Sequence, residues 1–117
     1  MQLKMSIKPT SDAILVVNCS GRIVFGEESA SLRDTIKKLL TSNKRIVLNL
    51  AEVTYIDSGG LGTLVALYIT AKSNEGSIKL ANLTPRVGDL LQVTKLLTVF
   101  EVYDSEEQAI ESFRKAA

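Results

Sequence analysis

The 117-residue sequence contains no histidine and no tryptophan, and its one cysteine is Cys19. Without histidine the chain lacks the commonest general base and the commonest zinc ligand, so neither a Ser-His-Asp triad nor a Cys-His dyad can be built. A lone cysteine excludes an intramolecular disulfide, and we interpret Cys19 as a small buried residue of a strand. No pair of carboxylates is spaced to suggest a magnesium site. We therefore predict no catalytic residue, no metal and no cofactor.

Long apolar runs and blocks of like charge are also missing. The apolar stretches are far shorter than the ~18 residues that span a bilayer, and the first residues lack the apolar core of a signal peptide. The net charge is +1, with the basic residues scattered, which gives no basic patch for nucleic acid. The 45% of apolar residues is typical of a soluble globular protein. We expect a single cytoplasmic domain over residues 1–117, with neither nucleic acid nor a membrane as its partner.

The spacing of apolar residues predicts the element order β-β-α-β-α-β-α-β-α. A turn at residues 9–12 joins the first two strands into an antiparallel hairpin, and the alternation that follows favours a mostly parallel sheet. The predicted fold class is α/β, with a mixed sheet opened by this hairpin and about four helices packed against it. The predicted strands are 3–7, 13–19, 45–50, 78–81 and 99–103, and the helices are 27–40, one ending near 73, one starting at 85 and one after 105. Residues 22–26 and 51–56 are interpreted as irregular connections.

The most unusual segment is the hexapeptide Asp57-Ser58-Gly59-Gly60-Leu61-Gly62, which follows an apolar strand and opens a helix. Each glycine inside a helix costs about 0.8–1 kcal/mol relative to alanine. A segment that breaks a local rule without visible compensation often marks a functional site. The hexapeptide is therefore the candidate site, and the hydroxyl of Ser58 is its central group.

Catalytic and ligand-binding interpretations of the hexapeptide lack the residues they need. A hydrolase nucleophile at Ser58 requires a G-x-S-x-G turn, but Ile56 stands two residues before it. A dinucleotide-binding loop requires a third glycine where Val65 stands. A phospho-aspartate site at Asp57 requires clustered carboxylates, which the early strands do not supply.

Two interpretations of Ser58 remain open. In the first, Ser58 is phosphorylated: it lies exposed at a helix start, and the glycines beside it let a partner approach the backbone closely. A phosphate would add charge and bulk that a closely packed partner cannot tolerate, so the switch would act on an interface rather than on folding. In the second interpretation, Asp57 or Ser58 only caps the helix and the glycines form a turn.

Residues 46–64, which include the hexapeptide, resemble the signature of the STAS domain, and more closely that of anti-sigma factor antagonists of the SpoIIAA and RsbV kind. Length, element order and the position of the D-S-[SG]-G-[LV]-G core fit over nearly the whole chain. The resemblance implies that an anti-sigma factor, itself a serine kinase, phosphorylates Ser58. It further implies that the unphosphorylated chain binds this kinase and frees the sigma factor, and that a metal-dependent serine phosphatase restores the active form.

The resemblance also implies a partner-binding surface made of two segments: Gly21, Arg22, Ile23, Val24 and Phe25, and Asp57, Gly59, Gly60, Leu61 and Gly62. Two positions depart from the family's pattern, because Val24 stands where members often have an acidic residue and Asn49 where they usually have aspartate. These departures keep open an alternative, a non-switching STAS subunit such as a stressosome scaffold or the partner of a lipid-transport ATPase. When free, the chain is expected to be a monomer or a weak dimer.

Overall fold

A computed structural model describes residues 2–10 and 12–115. Within them, five strands and four helices follow the predicted order, with a short 3-10 turn at Leu96–Thr98 before the last strand. The strands are β1 (Lys4–Pro9), β2 (Ile14–Ile23), β3 (Arg45–Ile56), β4 (Ser77–Ala81) and β5 (Val102–Tyr103). The helices are α1 (Glu27–Leu40), α2 (Ser58–Ser73), α3 (Pro85–Val93) and α4 (Glu106–Lys115).

The strands lie side by side in chain order, β1-β2-β3-β4-β5. β1 runs antiparallel to β2, with Lys4 opposite Ser20 and Pro9 opposite Leu15. The other neighbouring pairs are parallel. The predicted α/β fold, with an opening hairpin and a mostly parallel sheet, is confirmed.

The central strand β3 is buried on both faces of the sheet, which explains its nearly continuous apolar run. Ile46 and Leu48 point into the larger core, which the first three helices cover, whereas Val47 points into a smaller core. The smaller core is closed by Ala109 and Phe113 of α4. In the part of the chain that the structure describes, no helix has both the length and the apolar character that a membrane crossing requires.

The helix boundaries follow the capping residues of the sequence. α1 has the predicted bounds. Thr84 caps α3 by accepting a hydrogen bond from the backbone N–H of Val87 (3.4 Å), with Pro85 as the first helical residue. At the start of α4, Ser105 accepts from the backbone N–H of Gln108 (3.1 Å). Side-chain caps of this kind satisfy N–H groups that have no partner within the helix.

Strands β2 and β3 extend well beyond their predicted ends, whereas β1 and β4 differ from their predicted bounds by only one or two residues. β2 continues through Gly21 to Ile23, with register shifts against β3 on both sides of Gly21. Gly21 has φ +111°, and a Cβ there would lie 2.4 Å from the carbonyl oxygen of Gln2. Both shifts place the extra residue on β3, because Ser20 pairs with Glu52 and Arg22 with Tyr55, so Gly21 is a paired residue inside β2 rather than the strand's end. β3 likewise extends over the predicted connection at 51–56, because its second half pairs with the end of β2.

The last strand is shorter than predicted. Strand β5 has only two residues, whereas the sequence suggested 99–103. The backbone N–H groups of Val99 and Phe100 donate to the carbonyl of Leu96 (2.9 and 3.3 Å), which continues the 3-10 turn. Phe100 is nevertheless buried, with its ring edge-on to Tyr68 at 5.5 Å between centroids. An apolar segment can thus be buried in the core without forming a strand.

Candidate functional site

The hexapeptide lies where β3 ends and α2 begins. Ser58 is the first residue of α2 and is exposed, and all three glycines are helical. The first turn of α2 contains no acidic residue. The hydroxyl of Ser58 therefore stands at the positive end of a four-turn helix, in reach of solvent.

Asp57 fastens this helix start to the neighbouring chain segment. Its Oδ1 accepts a hydrogen bond from the backbone N–H of Gly60 (2.8 Å), which makes Asp57 the N-cap of α2. Both of its carboxylate oxygens also accept from the backbone N–H of Phe25, each at 3.1 Å. These hydrogen bonds, that from Gly60 above all, hold the pKa of Asp57 below its ordinary value. The capping interpretation is thus confirmed for Asp57, and the same carboxylate also holds the β2–α1 connection.

The three glycines of the hexapeptide have different surroundings. A Cβ at Gly60 would lie 1.9 Å from the carbonyl oxygen of Ile23, and one at Gly59 would lie 2.6 Å from the Cβ of Phe25. A Cβ at Gly62 would meet nothing within 4 Å. Gly59 and Gly60 therefore let α2 pack against its own chain. The packing of the chain itself therefore accounts for the absence of a side chain at Gly59 and Gly60, and the clearance interpretation stays a prediction for Gly62.

The β2–α1 connection presents an exposed aromatic ring on a fixed backbone. The carbonyl of Val24 accepts hydrogen bonds from the backbone N–H and the hydroxyl of Ser29 (3.1 and 2.7 Å). The next backbone N–H, that of Phe25, is held by Asp57. The side chain of Phe25 is nevertheless 82% exposed. The ring of Phe25 is therefore accessible from solvent while its backbone is held in place.

An open groove of about 440 Å³ separates the start of α2 from α1. We call it the Ser58 groove. Of the described residues that line it, Arg33, from the second turn of α1, is the one with a charged side chain. The lining residues are Phe25, Gly26, Ser29, Arg33, Ser58, Gly59, Gly62, Thr63 and Ala66.

The structure brings the residues of the predicted partner-binding surface together at one end of the sheet, at different depths. Arg22, Phe25, Ser58 and Gly62 are exposed, and Val24, Asp57 and Gly59 are half-buried. The buried members are Gly21, Ile23, Gly60 and Leu61. The exposed and half-buried residues can touch a partner, whereas the buried ones support the surface from beneath.

Sequence reasoning missed the α1 wall of the groove. Ser29 and Arg33 are one helical turn apart on α1, and Thr63 and Ala66 continue the opposite wall along α2. These residues line one groove only because the two helices pack beside each other. The i, i+4 spacing of Ser29 and Arg33 indicates that both lie on one face of α1, but this spacing does not show which other element packs against that face.

The two departures from the family's pattern lie in different places. Val24 adjoins the groove, whereas Asn49 lies seven residues before the end of β3, about 23 Å along an extended strand. Asn49 donates to Glu106 of α4 (3.0 Å) and accepts from the backbone N–H of Ala51 (3.1 Å) and the side chain of Asn82 (3.3 Å). Asn49 is therefore a structural junction outside the candidate site.

Groups with catalytic or metal-binding chemistry are not assembled at this surface. Burial raises the pKa of the Cys19 thiol to about 12, so the thiolate that would act as a nucleophile is disfavoured. Over residues 2–10 and 12–115, no three histidine, cysteine, aspartate or glutamate side chains are grouped closely enough to hold a metal ion. What the site offers is an exposed hydroxyl, an exposed aromatic ring and a groove lined by one cation.

Comparison with known proteins gives consistent matches. The family model described as the STAS domain matches residues 6–109. A STAS-domain containing protein of Pseudomonas aeruginosa is 31% identical over 88 residues, which is 75% of this chain and 86% of that protein. The anti-sigma-B factor antagonist of Bacillus subtilis is 29% identical over 112 residues, 95% of this chain and 100% of that protein.

Solved structures show the same fold. The anti-sigma factor antagonist SpoIIAA in its unphosphorylated form matches with a TM-score of 0.80 and 19% identity, over 96% of this chain and 97% of that one. The phosphorylated form of SpoIIAA from Bacillus matches with a TM-score of 0.73 and 18% identity, over 94% and 99%.

Proposed function

The chain belongs to the STAS-domain family, and from that premise we propose that it is an anti-sigma factor antagonist switched by phosphorylation of Ser58. Its unphosphorylated form binds an anti-sigma factor that is also a serine kinase, and this binding releases the sigma factor. Phosphorylation of Ser58 ends the complex, and a serine phosphatase reverses the modification. In this role the chain is a cytoplasmic regulatory binding protein rather than an enzyme.

The observation that carries this proposal is the exposed hydroxyl of Ser58 beside the exposed ring of Phe25. A kinase needs access to the hydroxyl. Because the space beside Gly62 is empty, a partner can approach the helix turn that follows Ser58. The name of the Bacillus subtilis relative and the two forms of SpoIIAA support the role and the modification.

Phe25 gives such an interface an apolar anchor. An aromatic side chain buries about 150–250 Å² when a partner covers it, and aromatic anchors dominate the energetics of many interfaces. The backbone of Phe25 is already fixed by Asp57, so little additional ordering is needed on binding. The anchor and the switch residue border the same groove, so one partner would cover both.

Phosphorylation would oppose docking at this surface directly. A phosphate adds a charge of about −1.5 to −2 next to Asp57. A close-packed partner would have to desolvate that charge without a compensating contact, which is unfavourable. The fold itself would tolerate the phosphate, because Ser58 is exposed and stands at the positive end of α2.

The test uses the anti-sigma factor serine kinases encoded in the source genome, each purified and incubated with the chain and ATP. We expect one of them to add a single phosphoryl group, located on Ser58 by mass spectrometry of peptides. Titration calorimetry should then show binding by the parent chain, persistent binding by Ser58→Ala and none by Ser58→Asp. Ser73→Ala, at the far end of α2, is the matched control and should behave as the parent.

Labelling of a different residue, or of none, would contradict the proposal. If the chain is not labelled but forms a large assembly or a tight complex with a transport ATPase, the non-switching STAS subunit is the better account.

A further inference from the structure

We propose that Arg33 binds the phosphate carried by Ser58, so that the modified chain forms an ion pair across the Ser58 groove. This inference rests on the proposed function, because it concerns the phosphorylated state of the same site. It assigns a role to a residue of α1 that lies far from the hexapeptide in sequence.

The geometry that carries the inference is the shared groove. Ser58 lies on one wall, at the start of α2, and Arg33 lies on the opposite wall. Packed helices are separated by about 8–10 Å between axes, a gap that a long arginine side chain can bridge. A phosphate on an exposed hydroxyl at the groove's edge would therefore lie within reach of the guanidinium.

Arg33 pairs with no carboxylate in the part of the chain that the structure describes. Among residues 2–10 and 12–115 it takes part in none of the ion pairs. The positions one turn away on α1 are Ser29, Ala30, Ile36 and Lys37, none of which is acidic. A cation without a partner in a groove is available to an incoming anion.

The acidic groups near the groove do not satisfy Arg33 either. Asp57 is held by the backbone N–H groups of Gly60 and Phe25. Glu27 and Glu28, in the first turn of α1, line a separate groove together with Gln2 and Leu3. Among the residues that line the Ser58 groove, the phosphate would thus meet one cation and no anion.

Arginine suits this role because its planar guanidinium donates two parallel hydrogen bonds to phosphate oxygens. Pairing would compensate the repulsion between the phosphate and Asp57. It would also fill the Ser58 groove with the ion pair, so that a partner meets an occupied groove as well as an added charge. Arg33 would then help to keep the phosphorylated chain from binding its partner.

The test installs phosphoserine at position 58 by genetic encoding, so that no kinase is needed. Phosphorus NMR then follows the second ionisation of the phosphate, which for free phosphoserine has a pKa of about 6. An ion pair favours the dianion and lowers the titration midpoint. We expect Arg33→Gln to raise the midpoint by about 0.5 pH unit, a roughly threefold change in proton affinity.

The control is Lys37→Gln, which removes one positive charge a turn further along the same helix and should move the midpoint much less. Arg33→Lys keeps the charge without the guanidinium fork and should give an intermediate midpoint. Equal midpoints in the parent and in Arg33→Gln, with both folded by circular dichroism, would overturn the inference. Because no kinase takes part, this result is independent of whether Ser58 is phosphorylated naturally.

Discussion

At the scale of single residues, Asp57 is the most informative side chain. One carboxylate caps α2 through Gly60 and holds the backbone of Phe25 through both of its oxygens. The exposed aromatic ring and the exposed hydroxyl of Ser58 therefore keep a fixed relative position. A local capping signal in the sequence thus has a tertiary consequence, because the same carboxylate reaches a segment 32 residues away.

The first prediction concerns the charge of Asp57. Its pKa is lowered in the folded state, so its ionised form stabilises the fold above the ordinary pKa of an aspartate, and this contribution is lost as the pH falls through the lowered pKa. Asp57→Asn should unfold a few degrees below the parent at pH 7, and the difference should narrow below about pH 4. Thermal unfolding followed by circular dichroism measures both.

Asp34→Asn, on the exposed part of α1, is the control and should change the melting temperature little. If the difference in melting temperature between Asp57→Asn and the parent is the same at pH 3 and pH 7, the ionised carboxylate is not what stabilises the helix start.

The second prediction separates the glycines of the hexapeptide. Gly60→Ala forces a methyl group against the carbonyl of Ile23 and should destabilise the fold by about 2 kcal/mol or more. Gly62→Ala places the same group in open space and should stabilise the helix by about 0.5–1 kcal/mol. Urea denaturation of both variants gives the two values. A stable Gly60→Ala variant would refute the close packing of α2 on β2.

Gly62→Ala also tests the clearance interpretation, because its fold should be intact. If a partner approaches over this glycine, the added methyl should weaken binding to the anti-sigma factor kinase although the chain itself is more stable. Unchanged affinity would limit the role of Gly62 to the start of the helix.

At the scale of elements, Asn49 connects β3 to α4. It donates to Oε1 of Glu106, whose Oε2 pairs with Lys8 of β1 at 2.5 Å. Burial opposes the ionisation of Glu106, but the hydrogen bonds from Lys8 and Asn49 outweigh it and lower the pKa of this carboxyl. An aspartate at position 49 would face a second carboxylate here.

The third prediction follows from that pair. Asn49→Asp replaces a donor by a second negative charge and should destabilise the fold by about 2 kcal/mol at pH 7. The loss should diminish at acidic pH, because protonation of either carboxyl restores a hydrogen-bond donor. The exchange variant Asn49→Asp/Glu106→Gln reverses the polarity of the pair and should recover most of the stability. Because the aspartate keeps the oxygen that accepts from Ala51 and Asn82, failure of the exchange would show that the loss of stability does not come from the pair with Glu106.

At the scale of the whole molecule, the candidate site occupies one end of the sheet, and the proposed switch does not require a change in the core. The Cα radius of gyration is 12.9 Å, close to the ~13 Å typical of a compact chain of this length. Ser58 and Phe25 lie outside both hydrophobic cores. A modification at Ser58 can therefore change binding while the packing stays as it is.

The fourth prediction concerns mass and stability before and after modification. The free chain should be a monomer of about 12.7 kDa by light scattering at micromolar concentration. The form with phosphoserine at position 58 should have the same mass and a melting temperature within a few degrees, because the fold tolerates an exposed phosphate at a helix start. A change of mass, or a large loss of stability, on modification would mean that the switch acts on assembly or folding instead of on a partner interface.

The sequence by itself determined the order of elements, the sheet directions and the position of the candidate site. These features depend on local information. Apolar spacing identifies strands and helices, and Thr84 and Ser105 cap their own helices. The hexapeptide is recognised because it places three glycines, which have low helix propensity, at the start of a helix. The ends of strands were predicted less well, because Gly21 gives the same local signal whether the strand stops or continues.

Only the tertiary structure decided what each site residue touches. That Gly59 and Gly60 face the chain itself, that Asp57 holds Phe25, and that Arg33 lines the groove beside Ser58 all depend on packing between segments distant in sequence. The physical reason is the range of the interactions: helix propensity and capping act within a few residues, whereas steric contact and hydrogen bonding across packed elements depend on how the sheet and helices come together.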